Sequence, residues 1–202
     1  MIAKILNKAR FKLQLLSNAV NTCTSVTHVN RWANINNFPD AWNERVDVMG
    51  RVLNEYFNTN ITLLDVGCGR MYLKSVLSQN TSYTGLDVVE RGGGAIVADL
   101  NDFSEWEKLG EYDVIFCSGS LEYLNDLEGF FRGVSGQCKY LFFSFSILGE
   151  QSMLERRRMG WRSHYSRDEV KVLLRESGYE IEEVRDFKSQ ILVLCKSGEG
   201  LS

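Results

Sequence analysis

Five short apolar runs, spaced by segments of helical or turn character, limit what this chain can fold into more than any other feature. They are ITLLDVG at 61–67, YTGLDV at 83–88, AIVA at 95–98, YDVIFC at 112–117 and KYLFFSFS at 139–146. Runs this short that are apolar at successive positions are strands buried on both faces, the pattern of a parallel sheet. The intervening segments 72–78, 103–109 and 121–134 have room for helices or short helical turns. Strands alternating with such segments predict a mostly parallel α/β sheet covered on both sides. RDEVKVLLRES at 167–177 predicts an amphipathic helix with Val170, Leu173 and Leu174 inward, stopped by Gly178. Runs at 179–187 and 190–196 are separated by a short polar turn and predict an antiparallel pair closing the sheet.

The length, 202 residues, suits one domain with a sizeable core. Eleven Phe, eight Tyr and four Trp among many aliphatic residues exclude disorder as the main state. A formal charge of −3 argues against a basic nucleic-acid scaffold. The five cysteines, Cys23, Cys68, Cys117, Cys138 and Cys195, have no zinc-knuckle spacing, and only two histidines are available beside them. No metal site is expected, and reduced buried thiols point to a cytoplasmic protein. The N-terminal residues lack a compact signal-peptide core, and no apolar run approaches the ~20 residues of a membrane span. Leu6, Leu13, Leu16 and Val20 recur at helical spacing with Lys4, Lys8 and Lys12 on another face. That pattern predicts a peripheral helix packed on the domain, or a basic surface for peripheral membrane contact. Trp42, Val46, Met49, Leu53 and Phe57 form a second helical stripe. Residues 1–58 therefore read as a helical extension packed on the core, 59–196 as the main domain, and 197–202 as a flexible tail.

The most informative motif is LLDVGCGR at 63–70. An aspartate near a strand end followed by Gly67 and Gly69 builds a tight turn where backbone approaches a ligand closely. No Gly-Lys-Ser/Thr follows, so it is not a phosphate loop, and Met71 stands where a dinucleotide fingerprint has its third glycine. These residues resemble the glycine-rich first motif of the class I S-adenosylmethionine-dependent methyltransferases, an acidic residue and a hydrophobic one before Gly-x-Gly-x-Gly. Asp65, Gly67, Cys68 and Gly69 match it. Asp87, at the end of YTGLD, matches the family's second acidic motif; two carboxylate oxygens suit the vicinal ribose hydroxyls, with Val88 beside them. VADL at 97–100 resembles the third motif, so Asp99 is expected near the adenine amino group, or as a plain turn cap, and Leu100 over the ring. YDVIFCSGSLEYLND at 112–126 resembles the fourth, placing Ser118 and Gly119 beside the methionine portion, with Leu-Glu-Tyr where Leu-Glu-His is usual.

The resemblance covers about residues 61–196. It implies a Rossmann-like class I methyltransferase sandwich, a mostly parallel seven-stranded sheet with an antiparallel C-terminal strand. It also implies S-adenosyl-L-methionine as cofactor and S-adenosyl-L-homocysteine as product. The sulfonium is already activated, so the protein must place an acceptor in line and exclude water. The segment 147–166 after the fifth strand is where acceptor contacts are expected. Arg156, Arg157 and Arg158 are either a solvated face or a recognition patch for an anionic group; in a helix they would point in different directions. Trp161 is an aromatic platform or a cover for the sheet edge, and Tyr165 a further acceptor contact. His164 is the leading base candidate, with Tyr123 positioning the acceptor by a hydrogen bond; His28 is a remote alternative. The resemblance is closer to small-molecule and cell-surface-polysaccharide enzymes than to nucleic-acid enzymes, since 118–121 reads SGSL. The expected function is methyl transfer to a small-molecule or saccharide-like acceptor. The alternatives are an inactive cofactor-binding protein and an RNA or protein methyltransferase.

Overall fold

The computed structural model describes Trp32 and residues 34–198. The basic helix expected over 4–20, Cys23, His28 and the last four residues lie outside the described residues. The described elements are α1 (Asn43–Tyr56), β1 (Ile61–Val66), α2 (Tyr72–Val76), β2 (Thr81–Asp87), β3 (Ile96–Val97), β4 (Tyr112–Ser118), α3 (Leu127–Ser135), β5 (Cys138–Ser146), α4 (Met153–Met159), α5 (Arg167–Glu176), β6 (Tyr179–Phe187) and β7 (Gln190–Ser197). All strands join one seven-stranded sheet in the order β3-β2-β1-β4-β5-β7-β6. Every pairing is parallel except those of β7, which slots antiparallel between β5 and β6.

Successive strand residues point to opposite faces, so each apolar run feeds two cores at once. Leu64, Val66, Ile115, Cys117, Phe143 and Phe145 meet Phe130, Phe131 and Val134 of α3 and Val170 and Leu174 of α5. Leu63, Val114, Phe116, Phe142 and Leu194 meet Met49, Val52 and Leu53 of α1 on the other face. The apolar stripe read in α1 is thus its core face.

Three segments resolve beyond their sequence patterns. Residues 121–134 break into a 3-10 turn, Leu121–Tyr123, and α3, because the Asp126 carboxylate accepts from Gly129 N and starts a new helix. Phe103–Lys108 is a 3-10 turn. Its Trp106 indole donates to the Leu100 carbonyl at 3.1 Å and lies against Gly133 of α3. The connection after β5 contains α4, held by a reciprocal Ser152–Glu155 capping box and ended by Gly160 at φ 82°. Ser166 and Glu169 cap α5 in the same way. Connections leave β1 and β4 to opposite sides, so the strand order reverses between them, and the crevice beyond their carboxyl ends is where such sheets place a ligand.

Candidate active site

A cavity of about 320 Å³ fills this crevice. Its lining brings together Asp65, Gly67, Cys68, Gly69, Asp87, Val88, Asp99, Leu100, Ser118 and Gly119, the ten residues expected at a cofactor, together with Tyr123. The turn after β1 is held by Gly67 N and Cys68 N, both donating to the Leu86 carbonyl at 2.8 and 3.0 Å. Gly67 and Gly69 take φ values of 77° and 51°. A Cβ at Gly69 would lie 2.8 Å from the Phe38 ring, so both the backbone conformation and the space call for glycine. Met71 also takes a left-handed conformation, φ 53°, where the fingerprint has its last glycine. A non-glycine residue accepts this at a cost of about 1–2 kcal/mol.

Asp87 Oδ2 accepts from the Gly69 amide at 3.0 Å and from Arg91 Nε at 2.9 Å, both side chains being buried. The carboxylate is thereby fixed between the glycine turn and the loop after β2. Asp65 is also buried and accepts from the Tyr83 hydroxyl at 2.7 Å. Burial pushes its carboxyl up to about 7; the Tyr83 hydrogen bond opposes the rise and the Asp87 charge adds to it. Burial first, then the charges of Asp65 and Asp87, push the Cys68 thiol far above its ordinary range, so it packs rather than reacts. Asp99 Oδ1 accepts from the Asn101 amide at 3.0 Å, so Asp99 closes its own turn as well as lining the cavity.

The segment before α1 covers this crevice. Trp32, Phe38 and Trp42 pack ring on ring at 5.2–6.3 Å, and Trp32 meets Tyr123 edge-on at 6.0 Å. Arg91 stands over the Phe38 ring at 5.3 Å, and Arg70 bonds the Phe38 carbonyl and Asp40.

A second cavity, about 520 Å³, adjoins the first and shares Trp42, Arg45, Gly119 and Tyr123 with it. Its further wall includes Glu122, Gln151, Arg158, Trp161, Lys188 and Gln190. Among the residues expected at an acceptor, Tyr123, Arg158 and Trp161 therefore come together here. The others are placed elsewhere. Arg156 is fully buried: Nη1 donates to the Ser146 and Ile147 carbonyls, Nη2 to the Ser163 carbonyl and Nε to His164 Nδ1, at 2.8–3.2 Å. Its guanidinium also lies 5.0 Å from the Trp161 ring. It pins the C-terminal end of β5 to the loop before α5 and lines neither cavity. Arg157 is exposed and on neither wall. His164 lines neither cavity, and with Nδ1 accepting from Arg156 its ring is held neutral. Burial lowers its pKa, and the charges of Arg156 and Arg157 lower it further. It thus accepts a hydrogen bond within this pin. Tyr165 packs on Phe145, ring centroids 6.5 Å apart, and belongs to the core.

Arg45 belongs to no sequence motif, yet it lines both cavities. Its Nε donates to Ser118 Oγ at 2.8 Å, Nη2 to the Ser118 carbonyl at 3.2 Å and Nη1 to Gln190 Oε1 at 2.9 Å. Burial lowers its pKa while the charges of Glu122 and Tyr123 oppose that. A Cβ at Gly119, φ 70°, would run into this guanidinium. The available signal was an arginine at helical spacing from Trp42 and Met49, on the apolar face of α1. Gln190 and Lys188 have no local signal, because the β6–β7 hairpin brings them from a distant part of the chain. Among the described residues, no cluster of His, Cys, Asp and Glu is fit to hold a metal ion, and no helix is long and apolar enough to cross a membrane.

A family model described as "Methyltransferase domain" matches residues 40–184. A search of curated proteins finds no match. Among solved structures, the chain resembles magnesium protoporphyrin IX methyltransferase (ChlM) from Synechocystis PCC 6803 with bound SAH, at 16% identity and TM-score 0.59, over 86% of this chain and 89% of that one. It also resembles the N-terminal domain of EvdMO1 with SAH bound, at 15% identity and TM-score 0.56, over 76% and 80%. An O-methyltransferase family protein from Burkholderia thailandensis aligns at 13% identity and TM-score 0.63, over 79% and 57%. At such identities these structures establish the fold, and the family match carries the rest. With the glycine turn, the paired strand-end aspartates and the reversal of strand order in place, the chain belongs to the methyltransferase-domain family, the class I S-adenosylmethionine-dependent methyltransferases of Rossmann-like fold.

Proposed function

We propose that the protein methylates a small, saccharide-like acceptor seated in the second cavity, with S-adenosylmethionine in the first. The observation that carries this reading is the shared wall. Trp42, Arg45, Gly119 and Tyr123 border both cavities, so a donor in one and an acceptor in the other meet there. The residues around the first cavity fit the cofactor. Asp87 offers carboxylate oxygens to ribose hydroxyls, the turn at Gly67–Gly69 admits close backbone approach, and Asp99 and Leu100 stand where adenine is expected. Ser118 and Gly119, braced by Arg45, border the end from which the methyl leaves. When bound, the cofactor supplies an activated methyl group on a sulfonium. The chain's own work is orientation and exclusion of water, for which the aromatic cover of Trp32, Phe38 and Trp42 is suited.

The second cavity's wall favours a polar acceptor with apolar faces, since it combines Trp42, Tyr123, Trp161 and Phe187 with Gln151, Arg158, Ser189 and Gln190. The test is a labelled-methyl transfer screen against fractionated metabolites and glycans, after calorimetry of metal-free protein with S-adenosylhomocysteine. Binding without transfer to any carbohydrate fraction would remove the acceptor reading; no binding by folded protein would remove the cofactor reading.

A further inference from the structure

The carboxylate of Asp87 is used unevenly. Both of its hydrogen bonds, from the Gly69 amide at 3.0 Å and from Arg91 Nε at 2.9 Å, fall on Oδ2. Oδ1 has no hydrogen-bond partner among the described residues, yet it is not sealed from water. Asp87 lines the first cavity, so Oδ1 is the oxygen that it offers there. Arg91 lies behind that wall, with 3% of its side chain exposed. A buried ion pair roughly breaks even in stability, because desolvation of both charges offsets their attraction. What the pair supplies is geometry, since a planar guanidinium fixes a carboxylate in angle as well as in place.

The same guanidinium reaches the segment that covers the crevice. Nη2 donates to the Trp32 carbonyl, and the group stands over the Phe38 ring, 5.3 Å from its centroid. Phe38 also closes on the second donor to Asp87, because a Cβ on Gly69 would lie 2.8 Å from its ring. Arg70, next to Gly69, donates to the Phe38 carbonyl. The two groups that hold Oδ2 therefore hold the aromatic cover as well. Trp32, Phe38 and Trp42 line the same cavity as Asp87. A shift of this cover would disturb Arg91 and the Gly69 turn together, and the carboxylate with them.

We propose that Arg91 is a positioning residue that couples the cofactor's ribose to the aromatic cover. It sets Asp87 Oδ1 toward the ribose hydroxyls and ties residues 32–42 down over them. This rests on reading the first cavity as the cofactor site with ribose at Asp87. A ribose hydroxyl that donates to Oδ1 favours the carboxylate arrangement that Arg91 and Gly69 hold, so bound cofactor favours the seated cover. Reciprocally, the seated cover raises affinity for the ribose-bearing ligand by the same factor.

The experiment uses full-length protein and two probes, S-adenosylhomocysteine and its 2′,3′-dideoxy analogue, which lacks both ribose hydroxyls. Affinity is read by calorimetry, and the cover by amide hydrogen exchange of peptides spanning 32–42. Wild type is expected to bind S-adenosylhomocysteine about 10–100-fold more tightly than the analogue. S-adenosylhomocysteine should also slow exchange in 32–42, and the analogue should leave it nearly unchanged. Arg91→Ala should weaken S-adenosylhomocysteine binding about 10–100-fold and that of the analogue by less than about threefold. In that variant, saturating S-adenosylhomocysteine should no longer slow exchange in 32–42. Unchanged affinity, or equal losses for both probes, would make Arg91 a structural brace and overturn its action through ribose. Slowing retained at saturation overturns the coupling to the cover. Should Arg91→Ala fail to fold, Arg91→Lys keeps the charge beside Asp87 but lacks the fork that also reaches the Trp32 carbonyl. The same loss of slowing is expected there, and its retention overturns the proposal. Wild type that binds both probes equally overturns the proposal by removing ribose from Asp87, while leaving S-adenosylhomocysteine in the cavity. Failure of wild type to bind either probe would remove the cofactor reading beneath it.

Discussion

At the scale of single residues, two aspartates of the first cavity are set apart by their partners. Asp87 is held by hydrogen bonds from Arg91 and the Gly69 amide. Replacing it by Asn keeps the shape but removes the carboxylate proposed to meet the ribose hydroxyls. S-adenosylhomocysteine affinity should fall by about 1.5–3 kcal/mol, read by calorimetry on protein whose circular dichroism is native. Unchanged affinity would confine Asp87 to bracing the turn. Asp65 is the opposite case, desolvated and raised to about 7. A folded-state pKa above the unfolded value means that the folded chain holds the proton more tightly. Its contribution to stability is therefore complete below 3.8, the ordinary value, and is lost as pH rises through about 7. Asn mimics the protonated form at every pH. Urea unfolding should show wild type losing stability relative to Asp65→Asn between about pH 4 and pH 7; parallel pH profiles would mean that the carboxyl pays no desolvation. Sequence motifs singled out both aspartates, because each ends a strand next to a glycine or loop. Their different environments come from Tyr83 and Arg91, whose parts no local pattern announces.

At the scale of elements, the wall of the first cavity depends on a contact between a turn and a helix. Gly133 of α3 lies so close to the Trp106 ring that a Cβ there would overlap it. Trp106 in turn holds the Leu100 carbonyl, on the cavity's rim. Gly133→Ala gains about 1 kcal/mol of helix propensity, but forced overpacking costs about 1–3 kcal/mol. We expect net destabilisation in chemical denaturation and weaker S-adenosylhomocysteine binding, because the displaced indole drags Leu100 with it. A variant as stable as wild type would show that the ring has room to shift. The strands, α1 and α5 were legible because their periodicities and caps are local. α4 has a local signal too, since SMLE at 152–155 is a capping-box signature, but the three arginines that follow mask its helical pattern with charge.

At the scale of the whole molecule, the crevice is closed by parts that are far apart in sequence: the aromatic segment 32–42, the β1 and β4 turns, α4 and the β6–β7 hairpin. A ligand that binds only this assembled form must stabilise all of it. S-adenosylhomocysteine at a hundredfold excess over its dissociation constant should add about 2.7 kcal/mol, raising Tm by roughly 5–10 °C for a chain of this size. No shift in metal-free protein would mean that the cavity does not bind it. The sequence by itself determined the alternating strands, the glycine turn and the ten residues gathered at the first cavity. All of these follow from backbone periodicity, glycine's conformational freedom and the fixed offset between a strand end and the next turn. Only the tertiary structure decided the second cavity and its surroundings. A buried arginine among consecutive arginines and a histidine spent on bracing it are defined by which carbonyls and rings the fold carries to them, and that information is spread across the chain.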